Sequence, residues 1–219
     1  SYFMGSLEGN PEKANYRRYG VPGNRYGWAR YHKRFDLNAE PNAGNRYGWV
    51  VEVDPLDPDA MPVKRTALGR FKHEGAEVTV GRGGRAVVYM GDDQRFDYIY
   101  KFVSAGNWKS MRARGMSPLD EGKLYVARFN DDGSGEWLEL SIDNPLLATR
   151  FANQAEVLTY ARLAADELGA TPMDRPEWTS VAPDGSVFCT LTNNSRRRSE
   201  ERFSRNAETG EVSRMPSSA

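Results

Sequence analysis

The chain has 219 residues, and its 30 acidic side chains balance 30 basic ones, so its charge gives no support for bulk nucleic-acid binding. Its length suffices for one domain with a real core or for part of a larger one, and no apolar run approaches a membrane span. A lone cysteine excludes an internal disulfide, and the first residues lack the basic and apolar regions of a signal peptide. Because the chain begins with Ser1 rather than Met, we expect an upstream part of the protein.

The elements predicted along the chain are mostly strands. Residues 1–48 are rich in Gly, Asn, Arg and Tyr with little periodicity, so we expect long ordered loops there. From Trp49 onward, short apolar segments alternate with turn-forming residues, which predicts antiparallel strands joined by tight turns. The predicted strands are Val50–Asp54, Glu77–Val80, Arg85–Met90, Phe96–Val103, Lys123–Phe129, Trp137–Ile142 and Ser186–Leu191. This all-β pattern is typical of a sandwich, a barrel or a propeller.

One segment, Gln154–Leu168, departs from the strand pattern. Its apolar residues recur at close to helical spacing, Asn153 is suited to cap its start, and Gly169 suits its end. The sequence therefore predicts one helix inserted between strands.

The lone Cys189 lies inside the last predicted strand, among apolar neighbours. That position favours a buried structural thiol over a nucleophile.

The last 22 residues, 198–219, do not continue the hydrophobic pattern. Their sequence resembles a translated short-read sequencing adapter, in two blocks, Arg198–Glu208 and Ser213–Ala219. The alternative is a natural polar, disordered tail. We therefore expect the genuine protein to be read only as far as about Arg197, in the middle of a domain, and 198–219 to be artefactual and disordered.

The stretch GRFKHEGA, residues 69–76, carries four ionisable side chains next to a predicted strand. In a strand, Arg70, Lys72 and Glu74 would share one face, and Phe71 and His73 the other. Periodicity alone favours a row of solvated ion pairs on this face. The alternative is that Glu74 is a carboxylate held for a metal or phosphate site. His73 is by default a hydrogen-bonded core histidine.

Two further motifs carry groups suited to chemistry. Asp92 and Asp93 end an apolar strand, where they form either a plain turn or a site for a hard cation such as calcium. In the string DRPEW, a proline fixes the backbone between Arg175, a planar donor suited to phosphate, and Glu177, an oxygen donor suited to a metal. A loop salt bridge above a packed tryptophan is the alternative. The amides Asn193 and Asn194 after the last strand, like Lys72 and His73, receive no role.

The sequence contains no P-loop, HExxH, paired CxxC or GxSxG motif. Its segments do resemble, in order and over roughly residues 8–197, successive blocks of the PhoX-type bacterial alkaline phosphatases. The blocks are NRYGWVVEVDP, ALGRFKHEGAEV, VVYMGDDQRFDYIYKFVS, LDEGKLYVARFNDDGSGEW, DRPEW and VFCTLTNN.

This resemblance implies a six-bladed β-propeller that carries iron and calcium ions and hydrolyses phosphate monoesters. It implies export by the twin-arginine route to the periplasm or outside the cell. Glu74 and Glu177 would be metal ligands, Arg175 the phosphate-binding arginine, and Asp92 or Asp93 a calcium ligand. The family's Cys-Glu-Glu-Asn block would fall ahead of Ser1, and further acidic ligands after Asn194. We therefore expect the 219-residue chain alone to be an inactive part of the enzyme.

Two hypotheses of other classes stay open at this point. One is a non-catalytic propeller that binds calcium or a partner surface, which would not need Arg175 beside Glu177. The other is a propeller hydrolase that acts on lactones or phosphotriesters.

Overall fold

The computed structural model of the protein describes residues 1–197. The strands are β1 (Val51–Glu52), β2 (Val63–Lys64), β3 (Glu77–Val80), β4 (Arg85–Gly91), β5 (Arg95–Asp97), β6 (Ile99–Asn107), β7 (Gly122–Phe129), β8 (Gly135–Glu139), β9 (Met173–Asp174), β10 (Pro176–Val181) and β11 (Val187–Leu191). The helices are α1 (Lys13–Arg18), α2 (Trp108–Ala113), α3 (Pro145–Ala148), α4 (Gln154–Thr159) and α5 (Ala161–Glu167). The prediction of a mostly β protein with antiparallel strands is confirmed. The proposed artefactual tail, 198–219, lies outside the described residues.

The largest sheet is an antiparallel meander of five strands in the order β3-β4-β6-β7-β8. The predicted strand Glu77–Val80 is observed with the same bounds, and the predicted turn at residues 81–84 joins it to β4. Gly83 and Gly84 have φ angles of 69° and 71° in this turn, a backbone conformation that glycine adopts without a steric cost.

Alternate residues of this sheet face two different cores, as the period of two in a strand requires. Val88 and Tyr100 pack into the larger core, to which α4 and α5 contribute their apolar faces. Val87 and Tyr89 face the other way, into a smaller core that includes Val187 of β11. The antiparallel hairpin β10–β11 thus lies against the outer face of the five-stranded sheet.

Some elements differ from the prediction. The predicted strand Phe96–Val103 is two strands, because Phe96 has a φ of 66° and β5 leaves the sheet to pair with β9. The DRPEW segment, for which a loop salt bridge was the alternative, is not all loop, because β10 begins at Pro176. Proline is tolerated at the first residue of a strand, where a backbone N–H is least needed.

The prediction of a single inserted helix is also wrong in detail. Two short helices, α4 and α5, are separated at Tyr160, whose φ and ψ of −113° and 39° are not helical. The Tyr160 hydroxyl donates to the carboxylate of Glu12, at 2.9 and 2.7 Å from its two oxygens, and this contact holds the break. The cap by Asn153 is confirmed, since its side chain accepts from the Glu156 amide at 3.0 Å. The described residues contain three further helices besides these two.

The first 48 residues form ordered loops with one short helix and several 3₁₀ turns, as predicted. Four of their aromatic side chains, Phe3, Tyr16, Tyr19 and Phe35, are buried in the larger core. The five-stranded sheet is open at β3 and β8, and within residues 1–197 no sheet closes into a barrel or propeller. No helix in this part of the chain has the length and apolar character needed to cross a membrane.

Candidate functional site

Arg175 is the centre of a polar cluster between β9 and β10. Its Nε and Nη2 donate to the two carboxylate oxygens of Asp93 at 2.8 and 3.0 Å, and Nη2 lies 3.3 Å from Oε1 of Glu177. About a third of the Arg175 side chain is exposed, and its Nη1 makes no hydrogen bond within residues 1–197. The structure therefore brings together Arg175, Asp93 and Glu177, and leaves one guanidinium nitrogen facing outward.

The backbone at Arg175 is unusual. Its φ of 52° lies in the left-handed region, which is costly for a residue with a Cβ and is further restricted by the following Pro176. Such strain, of order 1–3 kcal/mol, persists only where the neighbouring structure holds it. Here β9 is paired with β5 on one side and β10 with β11 on the other.

The strand pairing at β9 is reinforced by side chains around Asp174. The carboxylate of Asp174 accepts from Asn194 Nδ2 at 2.7 Å and from Arg197 Nε at 2.6 Å. Asn194, which sequence reasoning left without a role, therefore helps to fix the residue just before Arg175.

Glu74 reaches the same cluster from the 70–74 segment. Its amide donates to the Gly91 carbonyl at 3.3 Å, and the neighbouring His73 forms an isolated antiparallel bridge with Asp92. The hydrogen bond that Arg175 donates to Asp93 is the main cause that raises the pKa of Arg175, and the charges of Asp93, Glu177 and Glu74 raise it further. The Glu74 side chain is exposed and makes no hydrogen bond or ion pair within the described part of the chain.

The predicted row of solvated ion pairs in GRFKHEGA is wrong, because this segment is not a regular strand. Arg70 is 3% exposed and donates to the backbone carbonyls of Tyr47, Thr159 and Gly44 at 2.9, 3.1 and 3.1 Å. Its guanidinium also lies 4.1 Å from the ring centroid of Tyr19. Arg70 is thus a core arginine that ties loops together and does not share a solvated face with Glu74.

His73 behaves as the predicted core histidine. Its Nε2 lies 3.0 Å from the Gly69 carbonyl oxygen, and its ring stacks on Phe71 at 3.7 Å between centroids. Burial lowers the pKa of His73 to about 4, so the ring is neutral near pH 7. Lys72 donates to the Gln94 side chain.

Asp92 points away from Arg175, into the core. Its carboxylate is fully buried, accepts from Arg162 Nε at 2.7 Å and Nη2 at 2.5 Å, and accepts from the Lys72 amide at 3.2 Å. The structure therefore does not bring Asp92 to the side of the turn on which Asp93 contacts Arg175. Sequence reasoning missed Arg162, and the available signal was a charge inside the apolar run Ala161–Ala165 of α5.

These positions decide which carboxylates have oxygens free for a metal. Both oxygens of Asp92 and of Asp93 are taken by arginines, whereas Glu74 and Oε2 of Glu177 contact no donor within residues 1–197. Oε1 of Glu177 accepts from Thr192 Oγ1 at 3.0 Å. Carboxylate oxygens are the chemistry that hard cations prefer. Nevertheless, the described residues contain no group of three or more His, Cys, Asp or Glu side chains arranged to hold a metal ion.

Cys189 lies on β11, paired with Thr179 of β10, and packs against Ile99, Ala127 and Met173. Burial raises the pKa of the thiol to about 12, which supports the prediction of a structural thiol rather than a nucleophile.

Comparison with known proteins identifies the family. The profile of the family described as "Alkaline phosphatase PhoX" matches residues 1–218. The chain belongs to the PhoX alkaline phosphatase family. A solved PhoX structure, "Pseudomonas fluorescens PhoX in complex with vanadate, a transition state analogue", is 50% identical, with a TM-score of 0.76. That match covers 85% of this chain and 34% of the solved PhoX chain, so the chain spans about a third of its PhoX relative. No curated protein matches the chain.

Proposed function

We propose that the protein is a metal-dependent phosphomonoesterase that releases phosphate from organic phosphate esters. The observation that carries this proposal is Arg175, a guanidinium fixed by Asp93 with Nη1 left open. Family membership and the vanadate complex of the PhoX relative support the same reaction, because vanadate is a transition-state analogue in that structure.

Arg175 would bind two phosphate oxygens through charge-assisted hydrogen bonds. Asp93 holds its guanidinium plane in place before substrate arrives, so less conformational freedom is lost on binding. The neighbouring carboxylates of Glu177 and Glu74 would repel a phosphate unless cations lay between them. The arrangement is therefore better suited to a site with metal ions than to arginine acting alone.

Glu74 and Glu177 are the residues that would hold such ions, which we propose are iron and calcium. When bound, the ions would bind phosphate oxygens and stabilise charge on the attacking and leaving oxygens. Additional ligands from elsewhere in the protein would complete the site. A calcium role for Asp92 or Asp93 stays a prediction, and it would require either carboxylate to exchange an arginine partner for the ion.

We also propose that the described sheets are part of a six-bladed β-propeller. The five-stranded meander with a β10–β11 hairpin stacked on its outer face is consistent with one blade followed by the first strands of another. Secretion or periplasmic location through twin-arginine export is likewise proposed, and it rests on the family alone.

The experiment is a kinetic comparison of the full-length protein with Arg175→Met and Arg175→Lys variants, using p-nitrophenyl phosphate. A lost charge-assisted hydrogen bond is worth about 1.5–3 kcal/mol, so kcat/KM should fall about 10- to 100-fold or more in Arg175→Met. Arg175→Lys should recover little, because lysine cannot make the planar two-point contact. Arg128→Met, which alters an exposed pair with Glu136, is the matched control.

Unchanged kinetics in Arg175→Met would remove the phosphate role of this residue. The same preparations should also be assayed with a lactone and a phosphotriester. Turnover of either that exceeds turnover of the monoester would favour the alternative hydrolase. Absence of all three activities, together with calcium binding, would favour a binding module.

A further inference from the structure

A second candidate site lies on the opposite face of the sheet core, between the five-stranded sheet and the β10–β11 hairpin. It is a cavity of about 100 Å³. Its wall is largely apolar, with Val87, Val103 and Val181, and carries the basic side chains of Lys101, Arg82 and Arg85. None of these residues belongs to the cluster around Arg175.

Lys101 is the anomaly in this cavity. It is 4% exposed, and it makes no hydrogen bond or ion pair with any residue in 1–197. Its ammonium lies 4.7 Å from the ring centroid of Trp137 and 5.2 Å from that of Tyr125. Such cation–π contacts offset only part of the cost of burying an unpaired charge.

The surroundings of Lys101 contain an excess of positive charge and hydrogen-bond donors. Arg82 and Arg85 line the same cavity, and no aspartate or glutamate is among its lining residues within the described part of the chain. Burial lowers the pKa of Lys101 to about 8.

A largely buried lysine beside two arginines, with no carboxylate lining the same cavity among the described residues, is complemented by a small anion with several acceptor oxygens. A cavity of about 100 Å³ has room for a few water molecules or a single tetrahedral oxyanion, and it is too small to enclose an ester with a large organic group. We propose that Lys101 anchors a binding site for free inorganic phosphate, separate from the Arg175 site.

The test measures binding of inorganic phosphate in a background that lacks the proposed active-site arginine. The Arg175→Met protein, titrated with phosphate by calorimetry at pH 7, should show saturable binding of one phosphate. Adding Lys101→Met should weaken this binding by about tenfold or more, because a charge-assisted hydrogen bond is lost. Lys123→Met, which removes an exposed lysine paired with Glu139, should leave it unchanged. Equal binding with and without Lys101, or no binding in the Arg175→Met background, would overturn the proposal.

A second measurement needs no substitution at Lys101, in case that variant does not fold. Acetylation rates of individual lysines in the Arg175→Met protein would be followed at pH 8 by mass spectrometry, at constant ionic strength. Phosphate and sulfate should slow acetylation of Lys101 but not of Lys123, and p-nitrophenyl phosphate should not protect either. An unchanged Lys101 rate in phosphate would refute the site. Equal protection by the ester would refute its restriction to a small anion.

Discussion

The buried ion pair between Arg162 and Asp92 makes a sharp stability prediction. Both side chains are completely buried, and the two nitrogen–oxygen distances are 2.7 and 2.5 Å. Arg162→Met would leave Asp92 buried with only the Lys72 amide as donor. Removing one partner of such a pair costs about 3–5 kcal/mol, a large part of the 5–15 kcal/mol that stabilises a typical domain.

The double variant Arg162→Met with Asp92→Asn should lose much less. The asparagine oxygen can still accept from the Lys72 amide, and no buried charge is left unpaired. Arg162 Nη1 is also buried without a partner within the described residues, so removing the whole pair removes an uncompensated group as well. The double-mutant cycle should therefore show a strong favourable coupling energy.

The assay is urea unfolding followed by the fluorescence of the five tryptophans, which gives the free energy of unfolding of each variant. Arg128→Met is the control, because its pair with Glu136 is about 40% exposed and worth at most about 1 kcal/mol. If Arg162→Met cost no more than Arg128→Met, the reasoning from burial would be refuted.

Three further predictions concern other parts of the fold. In phosphate-free buffer the contribution of Lys101 to the free energy of unfolding should rise by roughly 3 kcal/mol between pH 8 and 10.5, because over that window the unfolded chain holds a proton on Lys101 that the folded protein has lost. Urea titrations should show this slope as the difference between the protein and Lys101→Met, which share the opposing effect of buried tyrosines. The partly buried Cys189 thiol, with a pKa of about 12, should react with a disulfide reagent at pH 8 much more slowly in the folded protein than after unfolding, and equal labelling rates in the two states would contradict this reasoning. Gly91→Ala would place a Cβ 2.4 Å from the Glu177 carbonyl oxygen, whereas Gly122→Ala makes a similar clash away from the site, at 2.3 Å from the Val103 carbonyl oxygen. Both should lower stability, but only Gly91→Ala should also lower kcat/KM on p-nitrophenyl phosphate, and equal kinetic effects would show that β10 does not position the site.

The strands were predictable where apolar and polar residues alternate next to a clear turn signal. Glu77–Val80 and the glycine turn after it follow directly from such a pattern. The short strands β9 and β10 were not predictable, because their pairing depends on segments distant in sequence, Arg95 with Asp174 and Pro176 with Leu191.

The candidate site was predictable from motifs only in part. DRPEW supplied both Arg175 and Glu177, which the structure brings into contact. Alternation could not show that Arg70 turns inward to backbone carbonyls or that Asp92 and Asp93 point in opposite directions. Those outcomes depend on which buried partners are available, and a local sequence pattern does not contain that information.

The left-handed backbone at Arg175 implies a conflict between thermal stability and the proposed function at this one position. Glycine would relieve the steric cost of a φ of 52° before a proline, yet it would remove the guanidinium that Asp93 holds. Selection for thermal stability alone would therefore move this position away from arginine, while the proposed role of Arg175 in binding phosphate would favour keeping it. Substitutions meant to raise thermal stability should therefore be made elsewhere in the sheets, and this strained residue should be kept.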